Sequence, residues 1–212
     1  MPPIDTLPSQ FCWTKFGTEA GDEVDAIRAR KESERRSGGG LFYWGIGNSV
    51  GPSLRLLVSQ VREPEVLFTP MLSRPAYLDV NPASVASWRF GVGLDGVPHA
   101  LRTGVVTSKS PVVNRARRHF ALVCHSEDRL DVDLDYEGFT SSSVVNLRTG
   151  AQVGSSQVTS IVRRVPELGG GRPYRVAFRA RLVAPYFLTL TSSSEPLGEC
   201  ESALPMQDAL WA

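Results

Sequence analysis

A hydrophobic run, residues 41–44, leads into a glycine-rich segment, residues 45–51. The run predicts a buried strand, and the glycines allow a backbone or a flat ligand to approach closely. Pro52 suits the first turn of a helix that follows. At this strand-to-helix turn Trp44 could stack on a planar ring and Asn48 could hydrogen-bond to its edge. The alternative is a tight turn beside a core tryptophan.

Aromatic, polar and basic residues elsewhere in the chain extend this candidate site. The side chains predicted to contact a nucleobase are Trp13, Lys15, Phe16, Trp44, Asn48, Ser49 and Trp88. The side chains predicted to contact phosphate are Arg74, Lys109, Arg115, Arg117 and Arg118. An aromatic slot bordered by basic loops is typical of proteins that bind one base of a nucleic acid. For the basic residues the alternative is ordinary surface charge.

Other kinds of chemistry have little support in the sequence. The histidines, His99, His119 and His125, lie in no recognisable catalytic motif, and neither a nucleophile elbow nor a phosphate loop occurs. A metal pair of His119 and His125 would lack a convincing third ligand. The acidic run 131–135 is more typical of a solvated strand edge than of a cation site. We therefore expect a protein that is not an enzyme and that needs no metal or cofactor.

Composition predicts an ordinary soluble globular protein. The chain has 212 residues, of which 42% are hydrophobic and 21% charged. No apolar run approaches the length of a membrane helix, and the first residues do not resemble a signal peptide, so we expect a cytoplasmic protein without membrane contact. The three cysteines are too far apart to suggest a zinc site or a disulfide framework.

The formal net charge of +1 hides a segregation of charge along the chain. Residues 96–126 contain five basic side chains and no acidic one, and residues 138–194 contain seven arginines and the single acid Glu167. Basic stretches of this kind can hold a polyanion locally, even in a nearly neutral protein. Separation along the sequence, however, is not separation in space.

Hydrophobic periodicity predicts many strands and few helices. The predicted strands cover residues 11–16, 41–44, 65–69, 86–92, 103–107, 119–124, 157–165, 174–183 and 186–191. Residues 22–36 predict a helix whose charged side chains, at i,i+4 spacing, keep it mostly solvated. Residues 139–149 are ambiguous and could form a short helix.

The order of these elements favours an α+β fold. We expect a mixed, strongly curved or barrel-like sheet with two or three helices on one side. A single domain would cover residues 10–192, with tails at 1–9 and 193–212.

The early part of the chain resembles a known family. A strand with Trp13-Thr14-Lys15-Phe16, a helix, a hydrophobic strand and then Trp44-Gly45-Ile46-Gly47-Asn48 before a second helix is similar to the EVE domains and their YTH relatives. These belong to the PUA-like superfamily, to which the ASCH domains and the SRA readers of modified cytosine are also compared. Gly47 stands where arginine is usual in the family.

The resemblance implies a small mixed barrel flanked by helices, with an aromatic pocket for a flipped modified base. The family's roles fall on Trp13, Trp44 and Asn48. The resulting hypothesis is a non-enzymatic protein that binds DNA and reads a modified base, with 5-methylcytosine the best single candidate. The alternatives are an RNA-binding PUA-like module, a metal-dependent nucleotide hydrolase or nuclease using Asp131, Asp133 or His125, and a structural or regulatory protein without a nucleic-acid role.

Overall fold

The computed structural model describes most of the chain in separate ranges. These ranges are residues 7–16, 24–46, 50–70, 90–100, 118–130, 134–135, 139–140, 142–154, 157–168, 170 and 173–191. The helices are α1 Val24–Ser37 and α2 Gly51–Gln60, with a 3-10 turn at Pro166–Leu168. The strands are β1 Gln10–Phe16, β2 Leu41–Ile46, β3 Glu65–Pro70, β4 Phe90–Val92, β5 Pro98–Ala100, β6 Arg118–His125, β7 Leu134–Asp135, β8 Val144–Asn146, β9 Thr159–Arg164, β10 Arg175–Val176 and β11 Phe178–Thr191.

One mixed sheet dominates the fold. Its strand order is β2-β6-β11-β3-β1-β9-β8, and β4 joins it through β11 and carries β5. The pair β1 and β3 is parallel, whereas the other described pairs of this sheet are antiparallel. Strands β7 and β10 form a separate two-stranded sheet. The predicted α+β class and the mixed sheet with helices are therefore confirmed.

Strand β11 changes its neighbour on one side, from β3 to β4. Phe178 to Arg181 pair with β3, and Thr189 and Leu190 pair with β4. On the other side both Arg181–Leu182 and Phe187–Thr191 pair with β6. Residues 183–186 form an irregularity between the two paired stretches of β6. Extra residues in one strand bend it and increase its twist, so the sheet turns a corner here. The sequence had predicted two strands, 174–183 and 186–191; the structure joins their larger parts into one bent strand.

The corner folds β2 back over the first half of the sheet. The rings of Trp44 on β2 and Phe68 on β3 are 4.7 Å apart. In a flat sheet these strands, three positions apart, would be separated by about 14 Å. The sheet is therefore curved, and its inner face encloses an aromatic core that Ile27 of α1 and Leu54 and Leu57 of α2 complete.

A second core covers the opposite face of β1, β3 and β9. It contains Leu7, Phe11, Trp13, Leu67, Phe139, Val144, Val153, Val162 and Val176. The segment 139–149, for which a short helix was possible, instead supplies strand β8 and the turns around it. Alternation along β1 sends Trp13 into this core and Phe16 into the other, because successive side chains of a strand face opposite sides.

Helix α1 confirms the predicted helix but not its predicted exposure. Lys31, Glu32 and Glu34 are buried, so the expectation of solvated charged side chains is wrong for these three residues. The reason is that Lys31 and Glu34 bond to each other and to the Tyr43 backbone, and Glu32 accepts a hydrogen bond from the Leu130 N–H. No helix in the described ranges is long and apolar enough to cross a membrane.

Replacing Phe68 with alanine should destabilise the protein strongly. Phe68 is fully buried, stacks on Phe178 at 4.3 Å and contacts Trp44. A Phe→Ala change at such a site costs about 3–5 kcal/mol. Urea unfolding would measure the loss, with the half-exposed Val97→Ala as a control expected to change stability by less than about 0.5 kcal/mol. A loss for Phe68→Ala no larger than the control's would contradict this description of the core.

Candidate nucleic-acid interface

Trp44, the residue on which the predicted site centred, lies inside the inner core. It is 9% exposed. Its ring makes edge contacts with Phe16 at 5.7 Å, Phe68 at 4.7 Å and Phe178 at 6.0 Å, and the Lys31 Nζ atom lies 5.5 Å from its centroid. A base could stack on this indole only if one of these neighbours moved away.

Trp13 occupies the other core. It is fully buried, and its Nε1 donates a hydrogen bond to the Thr69 hydroxyl at 3.0 Å. Rings of Phe139 and Tyr174 pack against it at 5.1 and 4.9 Å. Lys15 Nζ lies 4.1 Å from the ring centroid and donates to the Gly154 carbonyl at 3.2 Å. The structure thus brings Phe16 and Trp44 together and places Trp13 and Lys15 on the opposite face of the sheet.

The remaining predicted contact residues lie largely outside the described ranges. These are Asn48, Ser49, Arg74, Trp88, Lys109, Arg115 and Arg117. Arg118 is described as the first backbone position of β6. The described strands nevertheless show where most of these segments join the sheet.

Strand register brings four of these junctions to one end of the sheet. The last residue of β2, Ile46, pairs with Phe120, and Arg118 at the start of β6 pairs with Thr191 of β11. On the other side of β11, Thr189 pairs with Val92, which places the opening residue of β4 at the same end. The last residue of β5 pairs with that opening residue. The segments 47–49 and 101–117, and the end of segment 71–89 that leads into β4, therefore attach to the sheet at this common end, which we call the β2/β6 end. The beginning of segment 71–89 follows β3, whose last residues lie beside the start of β11.

An ion pair of α1 holds the edge strand that leads to the β2/β6 end. Lys31 Nζ donates to both Glu34 carboxylate oxygens, at 3.0 and 3.1 Å, and to the Tyr43 carbonyl. The Tyr43 N–H in turn donates to Glu34 Oε2 at 3.2 Å. The N–H and the C=O of Tyr43 therefore both point away from β6, toward the side of β2 where a further strand would pair. Burial lowers the pKa of Lys31, and the Glu34 carboxylate opposes that shift.

Glu32 ties the same helix to the loop after β6. Its carboxylate accepts hydrogen bonds from Arg35 at 2.8 and 2.9 Å, from Arg36 at 2.9 Å and from the Leu130 N–H at 3.3 Å. The hydrogen bond from Arg35 is the main reason that the pKa of Glu32 falls to about 2. Arg35 also donates to the carbonyls of Ser126 and Glu127. Charged side chains that the helical pattern predicts to be solvated therefore hold the loop after β6 against α1.

The arginines of β11 are matched by acids from other parts of the chain. Arg179 lies 3.8 Å from Glu65, and Arg181 lies 3.0 Å from Glu127 and 3.9 Å from Glu63. These pairs reduce the basic excess that the sequence shows over residues 138–194. This part of β11 therefore does not present an unbalanced row of positive charge.

His99, Cys12 and Cys124 are buried side chains that the predicted site did not include. His99 on β5 is buried, and neither ring nitrogen has a hydrogen-bond partner in the structure as described. Cys12 and Cys124 are free thiols in the inner core, and burial raises the pKa of each. Across the described ranges, no three His, Cys, Asp or Glu side chains are grouped in a way that could hold a metal.

Comparisons of the chain with models of known protein families, with curated proteins and with solved structures find no match.

Replacing Lys31 with methionine should cost about 3–5 kcal/mol of folding stability, because it leaves the buried Glu34 carboxylate and the Tyr43 carbonyl without their cation. Arg36→Met is the matched control. Arg36 also pairs with a helix carboxylate, but its side chain is 67% exposed, so its loss should cost less than about 1 kcal/mol. Equal destabilisation of the two variants in urea unfolding would contradict the role given to the buried pair.

His125 should make the protein less stable in mild acid. Burial, followed by the charge of Arg181, lowers the pKa of His125 below its ordinary 6.5. Between the lowered value and 6.5 the unfolded chain binds more protons than the folded one, so stability falls as pH falls through that window. Unfolding midpoints measured between about pH 7.5 and about pH 5.5 should show a smaller decrease for His125→Gln than for the wild-type protein.

Subtracting the variant's pH profile from that of the wild type is necessary, because Glu65 acts in the opposite direction. Burial raises the pKa of Glu65, so its contribution to stability is present in acid and is lost as pH rises. Parallel pH profiles for the wild type and His125→Gln would contradict this prediction, because they would mean that folding does not lower the pKa of His125.

Proposed function

We propose that this chain is a non-enzymatic nucleic-acid-binding protein that recognises a modified base, 5-methylcytosine in DNA being the preferred ligand. The base would be flipped out of the duplex and held at the β2/β6 end. The residues proposed to contact the base are Asn48, Ser49 and Trp88, and those proposed to contact phosphate are Lys109, Arg115, Arg117 and Arg118.

The single observation that carries this proposal is the register of the β2/β6 end. Ile46, Phe120 and Thr189 lie side by side on neighbouring strands. A chain advances at most about 3.6 Å per residue, so Asn48 is within about 7 Å of Ile46, and Arg117 is the residue before Arg118. Covalent connectivity therefore limits how far Asn48 and Arg117 can lie from this end of the sheet.

The fold gives a second line of support. The order strand, helix, strand, helix, strand, with β1 parallel to β3, is compatible with the small mixed barrel that the resemblance to EVE domains implies. The curvature that brings Trp44 against Phe68 is the kind that a barrel-like sheet needs. We propose a PUA-like architecture on this basis.

Because the indoles of Trp13 and Trp44 pack in the two cores, they are not proposed to stack on the base. Trp13 and Trp44 stabilise the two cores that hold the ends of β1 and β2, and Trp88 is left as the indole proposed to stack on the base. Burial of one methyl group in a dry slot gains roughly 1 kcal/mol. Base extrusion costs a few kcal/mol, which stacking and phosphate contacts must offset.

Fluorescence anisotropy with matched short duplexes would test the proposal. The wild-type protein should bind a duplex with one 5-methylcytosine about fivefold more tightly than the unmodified duplex at equal salt. Asn48→Ala should remove most of that preference. Arg117→Ala should weaken both duplexes equally and reduce the salt slope by about one. Trp44→Ala is a poor probe, because it would also disrupt the core.

Three outcomes would count against the proposal. Equal affinity for the two duplexes would exclude reading of the methyl group. Tighter binding of an RNA of the same sequence would favour the RNA-binding alternative. No binding at low salt would favour a protein without a nucleic-acid role. Val97→Ala, on an exposed part of the β4–β5 hairpin, serves as the control variant for each measurement.

A further inference from the structure

A row of side chains crosses the inner face of the sheet at the β2/β6 end. Phe120 of β6 pairs directly with Ile46 of β2 and with Thr189 of β11, and Thr189 pairs in turn with Val92 of β4. Side chains of directly paired residues lie on the same face of a sheet. Ile46 and Phe120 pack against the inner aromatic core, so all four side chains lie on that face. We call these four residues the end row.

The end row is more exposed than the row behind it. One step further into the sheet, the next row on the same face is buried; it consists of Trp44, Leu122 and Phe187. Three members of the end row are only partly buried, and the fourth, Val92, is 40% exposed. The end row therefore presents a mainly apolar strip to solvent across four adjacent strands, a width of about 14 Å.

The ring of Phe120 is supported from behind by the core. It stacks on Phe187, with 5.6 Å between the ring centroids and 17° between the ring planes. Phe187 is buried in the inner core, so it holds the plane of the Phe120 ring in place. Because Phe120 itself is only partly buried, part of its ring surface remains open to solvent. Thr189 beside it adds a hydroxyl group that can donate or accept a hydrogen bond.

We propose that the end row is a stacking surface on which Phe120 holds a flat heterocyclic base of a nucleic acid. This inference rests on the proposed function and deepens it, because it gives the base at the β2/β6 end an aromatic contact within the sheet itself. An aromatic side chain can stack on any base, since every base has a π-face. Residues 101–118, which lead into β6, contain five basic side chains and no acidic one. They provide the positive charge that the phosphates attached to such a base require.

An abasic duplex separates this contact from the rest of the binding energy. Fluorescence anisotropy would compare a duplex that carries one 5-methylcytosine with a duplex in which an abasic site replaces that nucleotide. Phe120→Leu removes the π-face and keeps an apolar side chain, so it should weaken binding of the 5-methylcytosine duplex about tenfold and leave binding of the abasic duplex unchanged. Phe120→Tyr, which keeps the ring, and the control Val97→Ala should bind both duplexes as the wild type does. Urea unfolding of Phe120→Leu should show a midpoint close to that of the wild type, because leucine keeps most of the apolar volume of a partly buried side chain.

Failure of this inference is distinguishable from failure of the proposed function. If the wild type prefers methylated over unmodified DNA but Phe120→Leu binds the 5-methylcytosine duplex as tightly as the wild type does, the function stands and the stacking role of Phe120 is wrong. Equal weakening of the 5-methylcytosine and abasic duplexes by Phe120→Leu would also overturn it, because that loss does not depend on a base. If Phe120→Leu weakens only the 5-methylcytosine duplex while the wild type does not distinguish methylated from unmodified DNA, the stacking surface stands and reading of the methyl group is wrong. If the wild type binds no DNA at low salt, both proposals fall.

Discussion

The hydrogen bonds that join Lys31 and Glu34 of α1 to the Tyr43 backbone are the interaction on which the rest of the structure depends. Strand β2 lies at an edge of the sheet, and its outward N–H and C=O would be buried without partners if Lys31 and Glu34 did not meet them. Two charged side chains thus provide the hydrogen bonds that a neighbouring strand would otherwise provide. Burial lowers the pKa of Lys31, and the Glu34 carboxylate opposes that shift. The strand that these contacts secure carries Trp44 into the core and leads to the β2/β6 end.

Much of the fold could be predicted from the sequence because the local periodicity of hydrophobic residues indicates where many of its elements lie. Strands β1, β2, β3 and β6 and helix α1 lie close to their predicted bounds. The burial of Lys31 could not be predicted, since its partners include a backbone carbonyl 12 residues away that belongs to another element. The bend in β11 escaped prediction for a similar reason: hydrophobic alternation does not reveal which neighbour a strand pairs with at each point.

The candidate site was predictable only in part. An aromatic run before glycines correctly indicated a buried strand, but the same pattern fits a ring that packs in the core and one that faces a ligand. Trp13 and Trp44 differ by face rather than by composition, and only tertiary packing assigns them to separate cores. His99 belongs to no sequence motif, and only the structure shows that both of its ring nitrogens are buried without a hydrogen-bond partner among the described residues. Charge segregation along the sequence likewise disappears where Arg179 and Arg181 meet acids from distant segments.

The position of β11 has a consequence for how the chain acquires its structure. This strand lies between β3 and β6 and also pairs with β4, yet it follows every other described strand in the sequence. During synthesis the ribosome releases β3 and β6 long before the segment that joins them, so both expose unsatisfied edges until nearly all of residues 178–191 have emerged. Such late, long-distance pairing slows assembly and leaves the edges of β3 and β6 exposed to aggregation while the chain is incomplete.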